Sequence, residues 1–344
     1  MKNNYLNISV TNIYTKPNIK SEVSSQILYG EKFKILSEKK GWIKIKTYFD
    51  NYIGYIKKQK FKKKFKPQLK IYKLKSRIFI KKKNKFCPSK SFLYFASGLS
   101  LLSQDKKYIE FEKNKWVQKK HTKKINHYEK NYVKIIKMFL NSKYLWGGKT
   151  SKGIDCSALI QIYFYYNRIF FPRDSKDQIR YCKIKKNNKF NKGDIIFWKG
   201  HVGVCLNKSK FIHAYGPRKK VLTMPIKLTI ELIKKTAYLK VVKISNINNQ
   251  ADHAISHAVL KQHLTGGFHP TLVAGNAIDH AVDDIVNTAG IRLGGLVHRL
   301  LDPFQVVRMQ TFPEYGPRER LIRPHTPDPM QDLIPVYLFP LHVV

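Results

Sequence analysis

The chain of 344 residues is poor in acid, has few cysteines and lacks any long apolar run. No stretch approaches the ~18 consecutive uncharged apolar residues that a membrane-crossing helix needs, so none is predicted. Its first residues, Met1 to Val10, lack a continuous apolar segment and a small-residue cleavage site. The expectation is therefore no secretory leader and a cytoplasmic location. The four cysteines, Cys87, Cys156, Cys182 and Cys205, include no CxxC pair, which argues against a zinc ribbon or a disulfide scaffold. With 18 Gly and 15 Pro the chain is neither collagen-like nor of low complexity. Only 22 Asp and Glu stand against 66 Lys and Arg, a net charge of +44. At 43% hydrophobic residues, however, the chain has enough apolar surface to fold.

That charge is unevenly spread. Residues 1–244 hold 59 Lys and Arg against 13 Asp and Glu, whereas residues 245–344 hold 7 against 9. The tracts Lys57–Lys66 and Lys81–Lys85 offer a surface to an anionic polymer. A compositional bias of the whole segment explains them more simply, and they match no nucleic-acid motif. Residues 245–344 read as a compositionally foreign, poorly ordered tail. His253 and His257 stand four apart there, but without an HExxH pattern they predict no metal site.

Ahead of that tail, three segments follow one another. Residues 1–62 show short alternating strands (Leu6, Ile8, Val10; Phe33, Ile35; Trp42–Ile45) separated by turns at Gly30, Gly41 and Asp50–Asn51, which predicts a small closed β-barrel. Residues 66–122 repeat the theme more loosely, as a second, diverged barrel or an irregular linker. From residue 128 the period changes. Tyr132, Ile135, Ile136, Phe139 and Leu140 fit an amphipathic helix, and a second, apolar helix runs from Cys156 to about Tyr166. The apolar segments Asp194–Trp198, Val202–Leu206 and Lys210–Ala214 follow as strands. Residues 128–244 are thus expected to be an α+β domain with helices packed on one face of an antiparallel sheet.

Cys156 is the residue with the clearest chemical setting. It follows a glycine turn and Asp155, which can cap, and it opens a helix whose unpaired N–H groups favour a thiolate. His201 and His213 fall on neighbouring strands joined by a short hairpin, so one edge of the sheet can present both. One imidazole could then serve as base and the other orient it. Read without further context, the same residues more often describe a structural helix start and two satisfied strand histidines.

The surrounding motifs narrow this choice. Tyr144-Leu-Trp-Gly-Gly148, Gly153-Ile-Asp-Cys-Ser157 with Gln161, Pro172-Arg-Asp-Ser175 with Gln178, Gly193-Asp-Ile-Ile-Phe-Trp198, His201-Val-Gly203 and Ile212-His-Ala214 occur in order. Together they resemble the NlpC-type, papain-like cysteine peptidases. Asn12–Pro17, Leu28–Phe33, Gly41–Ile45 and Asp50–Tyr55 resemble a bacterial SH3-like domain. The resemblance implies SH3-like barrels followed by a papain-like α+β catalytic domain, and a γ-D-glutamyl-L-diamino-acid endopeptidase without metal or organic cofactor. It implies Cys156 as nucleophile, His201 as base, His213 as its orienting partner and Tyr144 beside the oxyanion. Asp155, Ser157, Arg173, Asp174 and Ser175 would line a pocket for a murein peptide with a free N-terminal L-Ala. Ala158 stands where the family usually has Gly, and Lys143 where Pro is frequent. The same papain-like site would also suit an acyltransferase or amidase, and the basic charge a non-catalytic polyanion binder.

Overall fold

A computed structural model gives the structure of the protein and describes residues 4–186 and 189–249. The predicted tail and its histidines lie outside the described residues.

The first unit has six strands, β1 (Asn4–Tyr5), β2 (Val10–Tyr14), β3 (Val23–Leu28), β4 (Lys32–Lys39), β5 (Trp42–Thr47) and β6 (Ile53–Lys57). They form one antiparallel sheet in the order β1-β4-β5-β6-β2-β3. The alternation seen in the sequence is used directly: Ile43, Ile45 and Thr47 of β5 are buried while Trp42, Lys44 and Lys46 are not. Leu6, Ile13, Ile27, Phe33, Ile43, Ile45 and Ile56 make a single apolar cluster, so the sheet wraps one face around one core. The expected closed barrel is corrected here. β1 and β3 stand at opposite ends of the strand order, and among the described residues no ladder joins them. This leaves β3 as an edge strand with a free side.

Eight strands follow, β7 (Leu69–Ile71), β8 (Lys75–Lys82), β9 (Lys85–Tyr94), β10 (Gly98–Leu99), β11 (Ser103–Gln104), β12 (Tyr108–Glu112), β13 (Lys115–Gln118) and β14 (Thr122–Lys124). They pair as β10-β7-β14 and β11-β12-β13-β8-β9. Ile71, Ile78, Leu93, Leu99, Ile109, Phe111 and Val117 share one core with Tyr29 of the first unit. The Lys57–Lys66 tract between the two units is more than a charged surface. Phe61 meets Phe33 edge-on at 4.9 Å, Phe65 lies near Tyr5 and Tyr29, and Lys62 pairs with Glu112 at 2.9 Å.

The last unit starts with α1 (Tyr132–Met138). The short hairpin β15 (Lys149–Thr150) and β16 (Gly153–Ile154) then leads into α2 (Cys156–Tyr166), and α3 (Ser175–Tyr181) follows. Strands β17 (Asp194–Trp198), β18 (His201–Cys205), β19 (Lys210–Tyr215), β20 (Lys220–Pro225) and β21 (Val241–Asn246) form an antiparallel sheet in the order β20-β19-β18-β17-β21, with α4 (Ile226–Ala237) between the last two in sequence. Every residue of β17 is buried because the sheet is covered on both faces. Ile195 and Phe197 pack with α1 and α2, while Ile196 and Trp198 pack with Ile226 and Ile233 of α4. Helices on one face only was the expectation. α4 is amphipathic, but its own periodicity does not say which face of the sheet it covers.

Candidate active site

The hairpin and helix start set the position of Cys156. Gly147 has a φ of 71°, and a Cβ there would lie 2.3 Å from the Val23 carbonyl, so only glycine lets this loop approach β3. A Cβ on Gly148 would lie 2.4 Å from the Gly153 carbonyl, and one on Gly153 2.3 Å from Cβ of Leu145. Asp155 then caps α2, its Oδ1 accepting the Ala158 N–H at 2.8 Å. Ala158 is fully buried beneath this cap, and its methyl group packs in the core.

Cys156 is 4% exposed. Its Sγ lies 4.0 Å from the carbonyl of Gly200, and the backbone N–H of Val202 donates to the sulfur. The sulfur is thus bracketed by the residues on either side of His201. Burial pushes the thiol up to about 12, and the Asp155 carboxylate adds to this. The Val202 N–H, Arg173 and the Ser157 N–H pull the other way. The thiol therefore stays protonated at neutral pH unless a neighbouring base takes its proton.

The candidate for that base is His201, which stands between Gly200 and Val202 in the chain. Its Nε2 is 2.9 Å from Nδ1 of His213, so Nδ1 is the ring nitrogen of His201 that His213 does not engage. Burial lowers His201 to about 4; burial and then the His201 charge lower His213 to about 2, so both rings rest neutral. For Nδ1 to accept, Nε2 must carry the proton of His201 and donate to His213. Gly203 makes room for this pair. A Cβ on it would stand 2.8 Å from Cβ of His213 and 2.3 Å from the Phe211 ring. In the sequence Gly203 stands within His201-Val-Gly203, and nothing there signals this spacing role. His213 is completely buried and stacks on Tyr215 with ring centres 4.7 Å apart, which fixes its plane.

Tyr144 donates its backbone N–H to the Lys219 carbonyl at 2.9 Å, and its ring passes beside Gly216. Burial raises its phenol, and the charges of Cys156 and Asp155 raise it further, which places the hydroxyl in the field of the nucleophile. A neutral phenol is a hydrogen-bond donor.

The five residues expected to line the substrate pocket divide into two groups. Asp155, Ser157 and Arg173 are 5%, 6% and 2% exposed and face one another. Asp155 accepts from Gly147 N at 3.0 Å, Ala158 N at 2.8 Å, Ser157 Oγ at 3.1 Å, Arg173 Nη1 at 3.0 Å and Arg173 Nη2 at 2.6 Å. Five donors use the lone-pair capacity of a carboxylate. Asp174 and Ser175 begin α3, and the half-buried Asp174 carboxylate is reached by the Tyr52 hydroxyl at 3.4 and 3.5 Å. Burial raises Asp174, although Arg173 opposes this. Gln178 ties α3 to the nucleophile helix through the Ser157 carbonyl at 3.0 Å. Among the described residues no cluster of His, Cys, Asp and Glu could hold a metal ion.

The residues through which the first unit reaches the site carry no signal in the sequence. Tyr52 reaches Asp174, Ser25 reaches Arg173 at 3.0 Å, and Glu22 accepts the Trp146 indole N–H at 2.5 Å. These residues are more than 100 positions from their partners, and no local period announces them.

Comparison with known proteins agrees with this layout. Residues 141–249 match the NlpC/P60 family, and residues 13–61 match the bacterial dipeptidyl-peptidase Sh3 domain. The chain is 25% identical over 239 residues to Dipeptidyl-peptidase 6 of Lysinibacillus sphaericus, covering 60% of this chain and 84% of that protein. It is also 25% identical over 232 residues to the gamma-D-glutamyl-L-lysine dipeptidyl-peptidase of Bacillus subtilis, covering 60% and 77%. A crystal structure of an NlpC/P60 family protein from Bacillus cereus superposes with a TM-score of 0.60 at 18% identity, over 71% of this chain and 99% of that one, and so shares the fold.

Proposed function

We propose that this chain, which carries an NlpC/P60 domain behind a bacterial dipeptidyl-peptidase SH3 domain, is a cysteine peptidase that hydrolyses the γ-D-glutamyl–diamino acid bond of peptidoglycan-derived peptides. The observation that carries the chemistry is the Cys156 sulfur held between Gly200 and Val202, with His201 between them and bonded to His213. The names of the relatives, one a gamma-D-glutamyl-L-lysine dipeptidyl-peptidase, support the bond chosen.

The reaction follows from the site. Nδ1 of His201 takes the thiol proton as Cys156 Sγ attacks the γ-carbonyl carbon of D-Glu. The positive charge on His201 is stabilised by Nδ1 of His213, which accepts from its Nε2–H. The Cys156 N–H at the start of α2 and the Tyr144 hydroxyl face the oxygen that gains charge, and one such donor is worth about 10²–10³ in rate. His201 passes its proton to the leaving diamino acid amine. Water, deprotonated by the same imidazole, then cleaves the thioester. The free L-Ala amine of the substrate is read by Asp174 with Tyr52, since Asp155 already accepts five hydrogen bonds.

The test is mass spectrometry of L-Ala-γ-D-Glu-meso-diaminopimelate, its L-Lys counterpart and their N-acetylated forms after incubation with the protein and with Cys156→Ala. The reading expects the dipeptide and the free diamino acid from the parent alone, and little from the acetylated peptides. A folded, reduced parent that releases no diamino acid would refute it.

A further inference from the structure

We propose that Arg173 and Ser25 are positioning residues for the nucleophile, so that edge strand β3 of the first unit supports the start of α2 through the Ser25 hydroxyl. The inference rests on the peptidase reading and deepens it. Arg173 uses its whole guanidinium inside the protein. Nε donates to Ser25 Oγ at 3.0 Å, Nη1 to Asp155 Oδ1 at 3.0 Å and Ser157 Oγ at 2.9 Å, and Nη2 to Asp155 Oδ2 at 2.6 Å and the Gly148 carbonyl at 3.5 Å. Ser25 is 1% exposed, so the contact is dry. The guanidinium fork thereby fixes the carboxylate that caps α2 one residue before Cys156.

The same stretch of β3 borders the rest of the nucleophile loop. Glu22 holds Trp146, the Val23 carbonyl lies against Gly147, and Gln26 Oε1 accepts the Lys149 N–H at 2.9 Å. Deeper in α2, Gln161 Nε2 donates to Asp50 at 2.9 Å. A shift of β3 would move the Gly147 N–H and the Arg173 fork, both of which hold Asp155, and with them the helix N-terminus that carries Cys156.

The electrostatic consequence can be measured without substrate. Asp155 and Arg173 are the charged groups that act on the sulfur and Tyr144 lies in its field, while His201, between Gly200 and Val202, is bonded to His213. Of these Asp155 opposes a thiolate and Arg173 favours it. Loosening Arg173 from Asp155 leaves the negative charge less compensated next to the sulfur.

The experiment compares the full-length parent with Ser25→Ala, Ser25→Thr, Arg173→Lys and Ser24→Ala. Ser24 is on the same strand, but its hydroxyl donates to Ile13 within the sheet. The readouts are the pH profile of Cys156 alkylation by iodoacetamide, followed on its own peptide by mass spectrometry, and kcat and KM on the tripeptide. Ser25→Ala is expected to lower kcat about tenfold with KM nearly unchanged, and to move the alkylation profile to higher pH. Ser25→Thr should restore both, Arg173→Lys should exceed the alanine effect, and Ser24→Ala should match the parent. A folded Ser25→Ala protein with the parental profile and kcat would overturn the proposal, as would a loss confined to KM. If the parent cleaves no murein peptide and the alkylation profile still shifts, the positioning role stands and the peptidase reading falls.

Discussion

Burying two neutral histidines should make the catalytic unit sensitive to mild acid, by an amount that the site itself sets. His201 and His213 have folded values near 4 and 2, against 6.5 for a free imidazole. Both are lowered, so between pH 6.5 and about 4 the unfolded chain binds protons at these positions that the folded chain refuses. Stability is therefore complete above about pH 6.5 and falls as the pH drops through that window. At pH 5 each ring has crossed 1.5 pH units below its free value, which corresponds to about 2 kcal/mol per histidine, or about 4 for the pair. His213→Gln keeps a polar side chain of similar size and removes one titrating group. Its melting temperature at pH 7.5 is expected to lie below that of the parent, because the bond to His201 is altered. Between pH 7.5 and pH 5, however, the variant should lose about 4–8 °C less than the parent, since ~1 kcal/mol shifts a unit of this size by about 2–4 °C. Calorimetry of both proteins at four pH values gives the two slopes. Equal slopes would show that His213 does not stay neutral in the folded state, and the tautomer argument for His201 would fall with it.

Two further substitutions test the supporting framework. Gly203→Ala places a methyl group 2.8 Å from Cβ of His213 and 2.3 Å from the Phe211 ring, so His213 must move. The expected result is a loss of about 1–3 kcal/mol in stability and about 100-fold in kcat, read from melting curves and tripeptide turnover. Lys149 and Glu31 form a buried pair at 3.5 Å, with the Lys149 ammonium 4.2 Å from the centre of the Tyr165 ring. Lys149→Met strands the Glu31 carboxylate and should cost about 3–5 kcal/mol, whereas adding Glu31→Gln should recover at least half of it. Denaturant titration of the single and double variants decides this, and equal loss in both would exclude a charge effect.

The parts of this fold that were legible in the sequence are those with short-range causes. Asp155 before Cys156 is a cap because its carboxylate reaches three residues forward, and the two histidines neighbour one another because a tight hairpin joins β18 and β19. Alternation placed Ile43 and Ile45 correctly for the same reason. The charged residues were harder to place. Fifty-four lysines in residues 1–244 read as a solvated basic surface, yet Lys149 is buried against Glu31, and Lys70, 2% exposed, donates to the Tyr166 carbonyl at 2.6 Å. A lysine buried beside one carbonyl or one carboxylate looks in sequence like any other lysine.

The division of labour among the site residues was illegible for a related reason. Asp155, Ser157 and Asp174 all carry oxygen acceptors that suit a substrate amine, and sequence alone treats them alike. Burial separates them. Arg173 reaches back 18 residues to neutralise Asp155, which turns that carboxylate into part of the frame, while Asp174 stays half-buried under Tyr52. The partner that fixes Arg173 is Ser25, 148 positions away on the edge strand of a sheet that was expected to close. Had that sheet closed through a ladder, β3 would have spent its free side on β1. Because it stays open, β3 can border the nucleophile loop, and the first unit shapes the site as well as preceding it in the chain.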